Sequence, residues 1–233
     1  MKMKNMSNNN FIQTNVFSCP IYKIRIDPSS YDKKEIIDDI KYNKSLKKTR
    51  NDPHQRIGRC LSDTHHSYRD HDNKTFRDIN YDKLMPVYRE VFENFTDTKL
   101  HKTKKINLTF QIVNYSAMTE GQYLPFHNHI QSADFVTVHY LNFKDGHGGT
   151  MFESPLIFSK YLNNLRPEMY SVLDISSSDN SYLWEFFQME TKEDDMFIFP
   201  SALNHEVGVQ EQTKEPRITI STNIQLRLQD LKL

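Results

Sequence analysis

Hydrophobic and polar positions follow two different rhythms along this chain. Ile36, Ile37 and Ile40 recur at helical spacing within residues 31–43, just after the turn-forming Pro28-Ser29-Ser30. Leu84, Val87, Val91 and Phe92 share one face of a second stretch, 81–99. Both spacings predict amphipathic helices. From Lys105 the period drops to two, with Ile106, Leu108, Phe110 and Ile112 alternating against polar residues as in a half-buried strand. Further β-like segments are expected at 15–27, 122–129, 134–143, 150–153, 170–176, 182–190, 195–199 and 217–228. Turn signals fall between them, notably DGHGG at 145–149 and SSSDNS at 176–181. Many short strands with frequent turns argue for a β-sandwich or barrel, and no fixed-period repeat competes with that reading. The predicted fold class is mainly β with flanking helices, the N-terminal helices bracing one face. One domain over 1–233 is expected, with its β core at 105–228 and a frayed, Asn-rich start at 1–12. The charged stretch 44–79 reads as irregular surface or a long insertion.

Composition narrows the function without defining it. Thirty Lys plus Arg balance thirty Asp plus Glu, so there is no strong nucleic-acid signal of the kind excess cationic charge gives. No apolar run approaches the length of a membrane helix and the start has no secretory h-region, so a cytoplasmic chain without membrane attachment is expected. Two cysteines, Cys19 and Cys60, cannot form a disulfide scaffold and agree with a reducing compartment.

The chemistry concentrates in two places. His127 and His129, in Phe126-His127-Asn128-His129, fall at i and i+2 of a predicted strand and would point the same way. His205 follows 78 residues later in FIFPSALNHEV. Three imidazoles leaving open positions suit a catalytic metal such as iron or zinc. Ten histidines in 233 residues also yield such a spacing by chance, and two exposed or core histidines explain it equally well. The last strand, RITISTNI from Arg217, places Ile218, Ile220 and Ile224 on one side and Arg217, Thr219, Ser221 and Asn223 on the other. That polar side is either solvated or lines a cavity. In a cavity Arg217 would hold a carboxylate bidentately, with Thr219 or Ser221 adding a hydroxyl. Arg217 lies 12 residues after His205, and a hairpin of that length would bring it beside the metal.

Together these segments resemble the iron(II)- and 2-oxoglutarate-dependent oxygenases. NYSAMTEGQYLPFHNH is similar to the family's approach to its proximal H-x-D ligands, FPSALNHEVGV to its distal F-P-S-x-x-x-H-x-V element, and RITISTNI to its closing R-I-S-I-S-F-N strand. The type it resembles most is that of phages and marine bacteria with an HNH proximal motif. The resemblance implies a double-stranded β-helix, or jelly-roll, cupin-like core. It implies Fe(II) as cofactor, 2-oxoglutarate as cosubstrate, dioxygen as reactant and hydroxylation of an unidentified substrate. By position, His127, His129 and His205 would be the metal ligands, with His129 where the family has an acid. Asp134 would be an alternative ligand if the strand bulges there, or else an edge or turn residue. Arg217 would take the distal carboxylate of 2-oxoglutarate, with Thr219 or Ser221 beside it. Asn114, Tyr115 and Tyr123 could add hydrogen bonds, and Tyr140 could line the same cavity.

Two other readings keep the same fold: a non-catalytic jelly-roll binding or structural protein, and a cupin-like metalloenzyme that does not use 2-oxoglutarate. The latter has no need of Arg217. Cys60 near His65 and His66 lacks a third orienting group for nucleophilic catalysis and reads as a surface cluster. The glycine-rich 145–149 lacks the Lys-Ser/Thr of a phosphate loop and reads as a hairpin turn. Trp184, Tyr182, Phe186 and Phe187 read as core.

Overall fold

A computed structural model describes residues 19–46, 65–66, 76–102, 104–156, 160–161, 164–211 and 214–228. The predicted frayed start, Cys60 and most of 44–79 lie outside these residues. Ten strands are described: β1 (Tyr22–Arg25), β2 (His65–His66), β3 (Ile106–Met118), β4 (Leu124–His127), β5 (Phe135–Asn142), β6 (Thr150–Glu153), β7 (Phe186–Gln188), β8 (Asp195–Pro200), β9 (His205–Val207) and β10 (Arg217–Leu228). The helices are α1 (Lys33–Leu46), α2 (Leu84–Thr98) and a single turn α3 (Pro167–Tyr170). Short 3-10 turns form at Pro28–Ser30 and Ser178–Leu183.

The strands form two antiparallel sheets, one ordered β1-β8-β5-β10-β3-β2 and the other β4-β9-β6-β7. Their pairing gives the double-stranded β-helix fold. Alternation along the large sheet sorts its side chains into two cores. Ile218, Ile220 and Ile224 of β10 and Met196 and Ile198 of β8 face the helices, where they meet Ile36 and Ile40 of α1 and Leu84, Tyr88 and Phe92 of α2. Val136, Val138 and Tyr140 of β5 and Phe197 and Phe199 of β8 face the other way, against Phe152 of β6 and Leu203. The predicted helices thus brace one face of the sheet, as their apolar stripes require. Among the described residues, no helix is long and apolar enough to cross a membrane.

A bulge in β3 decides which residues reach the interior. Ser221 of β10 pairs with Asn114, but the next residue, Thr222, pairs with Ile112. Val113 is therefore an extra residue, and the strand's two faces exchange there. Before it, Leu108, Phe110 and Ile112 pack toward the helices; after it, Tyr115 and Ala117 do.

Several expected strands are shorter, and one is absent. Residues 170–176 are not a strand but the end of α3 and a run of turns. Asp174 accepts hydrogen bonds there from the backbone N–H and hydroxyl of Ser176, 3.0 and 2.6 Å, a local arrangement that competes with a ladder. Tyr182 and Phe186 are exposed rather than core residues, whereas Trp184 stacks on Phe187 with ring centres 5.2 Å apart. The DGHGG segment is a turn, with Gly146 at a φ of 88° that disfavours any side chain.

Candidate active site

His127 is the last residue of β4 and pairs directly with His205, the first residue of β9. His129 lies beyond the end of β4. The shared direction expected of i and i+2 in one strand is therefore not what brings it in. Its backbone N–H donates to the Ser201 carbonyl, 2.8 Å, and this folds the segment back toward β9. The three imidazoles converge all the same. Ring centres of His127 and His205 are 4.3 Å apart, those of His127 and His129 5.2 Å, and those of His129 and His205 5.4 Å. One nitrogen from each lies within 4.8 Å of the others, a spacing that a single metal ion can bridge.

Backbone carbonyls orient two of the rings. The Nδ1 of His127 lies 2.8 Å from the Pro125 carbonyl and that of His205 3.0 Å from the Leu203 carbonyl. A carbonyl can only accept, so Nδ1 carries the proton in both and Nε2 keeps its lone pair. Burial lowers all three pKa values. Desolvation acts first in each case, and the neighbouring His127 adds to it, bringing His129 to about 4 and His205 to about 3. Neutral imidazole is the form that binds metal. Phe199 and Phe152 wall the far side of His205, at 4.8 and 6.3 Å between ring centres.

Arg217 opens β10 opposite Met118 of β3 and is fully buried. Its Nη1 reaches the Met118 sulfur, at 3.9 Å, and among the described residues its Nε and Nη2 find no hydrogen-bond partner. Burial pushes its pKa below the usual value, while Tyr140 beside it pushes the other way. The guanidinium carbon sits 5.0 Å from the centre of the Tyr140 ring. Two residues on, the Thr219 hydroxyl lies 2.8 Å from that of Ser116. Arg217 reaches this interior without a hairpin from His205: β9 belongs to the small sheet and β10 to the large one, so the connection crosses between sheets.

The remaining predicted residues divide. Asn114 pairs with Ser221 beside Thr219 and Ser116, on the inner side of the bulge. Tyr115 does not join them. It packs in the helix-side core, and the Asn43 amide of α1 donates to its hydroxyl at 3.2 Å. Tyr123 is half-buried between β3 and β4. Asp134 is not in the histidine cluster. It is exposed in the bend that leads into β5, and its carboxylate accepts from the Leu226 backbone N–H of β10 at 2.7 Å, as the turn reading has it. Sequence reasoning missed Asn204 and Glu153, which connect to Asn128 through hydrogen bonds; adjacency to His205 was a sequence signal for Asn204 and not for Glu153. A cavity of about 360 Å³ opens beside the site, lined among others by Phe152, Leu203, Trp184, Phe187 and Met189.

Two sheets closed into a double-stranded β-helix carry three imidazoles at their seam that could hold a metal ion. Residues 114–223 match the family model described as "Putative 2OG-Fe(II) oxygenase". Over those residues, just under half of the chain, it is similar to the iron(II)- and 2-oxoglutarate-dependent oxygenases, oxidoreductases that use Fe(II), 2-oxoglutarate and dioxygen on a further substrate. No curated protein matches it in sequence. Solved structures resemble it at low identity. A prolyl hydroxylase from Trichoplax adhaerens, in complex with a hypoxia inducible factor peptide fragment, is 12% identical with a TM-score of 0.51, covering 88% of this chain and 82% of that one. The viral collagen prolyl hydroxylase of Paramecium Bursaria Chlorella virus-1, in its 2OG complex, is 13% identical with a TM-score of 0.48, covering 89% and 96%. A Pseudomonas putida prolyl-4-hydroxylase is 8% identical with a TM-score of 0.47, covering 91% and 94%.

Proposed function

We propose that His127, His129 and His205 hold the iron of this oxygenase, that Arg217 holds the distal carboxylate of 2-oxoglutarate, and that the product is a hydroxylated substrate. The observation that carries the reading is Arg217. A guanidinium taken wholly out of water with two unpartnered nitrogens is costly unless an anion joins it. A carboxylate supplies two acceptor oxygens in the geometry a guanidinium matches. The donor set fits the metal as well, being three neutral imidazoles with Nε2 turned inward on at least two of them.

When bound, iron(II) supplies dioxygen activation coupled to decarboxylation of 2-oxoglutarate to succinate. The chain's own residues do the rest. His127 and His205 are held in one tautomer by the Pro125 and Leu203 carbonyls, so their ligand atoms are fixed before metal arrives. Arg217 orients the cosubstrate from its far end. Thr219 and Ser116, already sharing one hydrogen bond, keep a further hydroxyl proton for the same carboxylate. Phe152, Phe199 and Tyr140 exclude water from the interior on the side of His205 and Arg217.

The test is anaerobic reconstitution of the purified protein with Fe(II), addition of 2-oxoglutarate, and then air. A weak visible charge-transfer band followed by succinate, both missing in Arg217→Ala, is the expected result. Absence of any band in the wild-type protein would favour a binding module on this fold.

A further inference from the structure

We propose that Asn204 is a positioning residue which, with Asn128 and Glu153, locks the two ligand-bearing segments together from behind; the inference rests on the ligand assignment above. The sheet register puts it there. His127 pairs with His205, and Phe152 of the adjacent strand also pairs with His205. In antiparallel strands the next row therefore contains residues 128, 204 and 153, with side chains on the opposite face of the sheet. That row is hydrogen-bonded end to end. The Asn128 amide Nδ2 donates to Asn204 Oδ1 at 2.8 Å, and Asn204 Nδ2 donates to Glu153 Oε2 at 2.7 Å. The backbone closes the same link, with the Glu153 N–H donating to the Asn204 carbonyl at 2.9 Å.

The direction of this chain is fixed from one end. Lys160 bonds the other oxygen of Glu153, and Lys160 and Asn204 together hold its carboxyl below the usual range. A carboxylate only accepts, so Asn204 must turn its NH₂ toward Glu153 and its oxygen toward Asn128. Asn128 then has one orientation left. The middle residue of His127-Asn128-His129 is thus a clamp between β4 and β9. It matters because His129, lying past the strand end, has the backbone bond to Ser201 as its nearest tie to the β8–β9 connection. Removing the clamp frees the His127–His129 segment to drift relative to His205 while leaving all three imidazoles in place.

Titration of the full-length, metal-free protein with Co(II) tests this through affinity and the ligand-field absorption of the bound ion. Asn204→Ala and Asn128→Ala are each expected to weaken Co(II) binding about 10- to 100-fold and to shift the absorption, a typical consequence of losing an outer support of metal ligands. The double variant should be no weaker than the worse single one, because one clamp can be broken only once. Asn128 is exposed, so Asn128→Ala keeps the test valid even if Asn204→Ala folds poorly. Wild-type affinity and spectrum in both Asn variants, with binding lost in His127→Ala, would overturn the clamp alone. Wild-type binding in His127→Ala as well would overturn the ligand assignment and the clamp with it.

Discussion

The guanidinium carbon of Arg217 lies 5.0 Å from the centre of the Tyr140 ring, while the Tyr140 hydroxyl is engaged elsewhere, 2.6 Å from the Thr150 hydroxyl and 3.1 Å from the Thr150 N–H. The ring offers its face to the cation, and the hydroxyl is bonded to Thr150 of β6. A cation–π contact offsets part of the cost of burial but leaves Nε and Nη2 without a hydrogen-bond partner among the described residues.

Arg217→Met is therefore expected to act in opposite directions with and without cosubstrate. Removing an uncompensated buried charge should leave the metal-free protein as stable as wild type or more so, by on the order of 1 kcal/mol. The same variant should lose the rise in melting temperature that 2-oxoglutarate gives the Fe(II)- or Co(II)-loaded wild type. Thermal unfolding with and without 2-oxoglutarate measures both. Equal stabilisation of the two proteins by 2-oxoglutarate would remove Arg217 from the site.

For the metal, His127→Ala and His205→Ala should each lower Fe(II) affinity by more than about 100-fold, since a two-imidazole site loses a bond as well as its geometry. Metal content after dialysis against Fe(II) is the measurement. Asp134→Asn should bind Fe(II) as wild type does, because the Asp134 carboxylate caps Leu226 instead.

Asp134→Ala should instead cost stability. It strands the Leu226 N–H, which corresponds to about 0.5–1.5 kcal/mol. Urea unfolding would show it, and an unchanged midpoint would mean that water replaces the carboxylate without loss.

His139 gives the chain a defined acid sensitivity. It is completely buried against Tyr88, whose hydroxyl lies 2.8 Å from Nδ1, and its Nε2 has no partner among the described residues. Desolvation, aided by Lys33, lowers its pKa from 6.5 to about 3. The unfolded chain takes up a proton near pH 6.5 that the folded chain refuses until about pH 3. The stability this group contributes is thus fully present above pH 6.5 and is lost as the pH falls through that window, at up to about 1.4 kcal/mol per pH unit. Unfolding free energies at pH 7, 6 and 5 should fall less steeply in His139→Gln than in wild type. Parallel slopes would show that His139 is already charged in the fold.

Much of this was legible in the sequence where the pattern was long. The period-two run from Arg217 predicts β10 with both ends correct, and Thr150–Glu153 is also found as expected. The three histidines and Arg217 stand out by spacing and by residue type, and the structure brings the three imidazoles together although His129 lies outside a strand. What was illegible is mostly non-local. β9 is three residues long, too short to show a period, and exists because β4 and β6 flank it. The place of Tyr115 turns on one extra residue: without the Val113 bulge, the alternation set by Ile106 to Ile112 would put Tyr115 inside and Asn114 outside. Nothing in the local sequence announces a bulge with no Gly and no Pro. Asn128 and Asn204 are 76 positions apart, and only the register of two strands makes them partners.

The division of labour between the sheets also constrains how the centre comes into being. The imidazoles belong to the small sheet and its flanking loop, Arg217 to the large one, and the connection from β9 to β10 crosses between them. His127 and His205 are themselves separated by β5 to β8, of which β5 and β8 pair in the large sheet and β6 and β7 in the small one. No nascent fragment ending before β10 contains the complete pocket. Contacts of such long sequence separation form late, after their loop-closure entropy has been met by the rest of the fold. On the proposed ligand assignment, assembly order would act as a safeguard: a redox-active ion would acquire its full set of partners only in a chain whose two sheets have already closed.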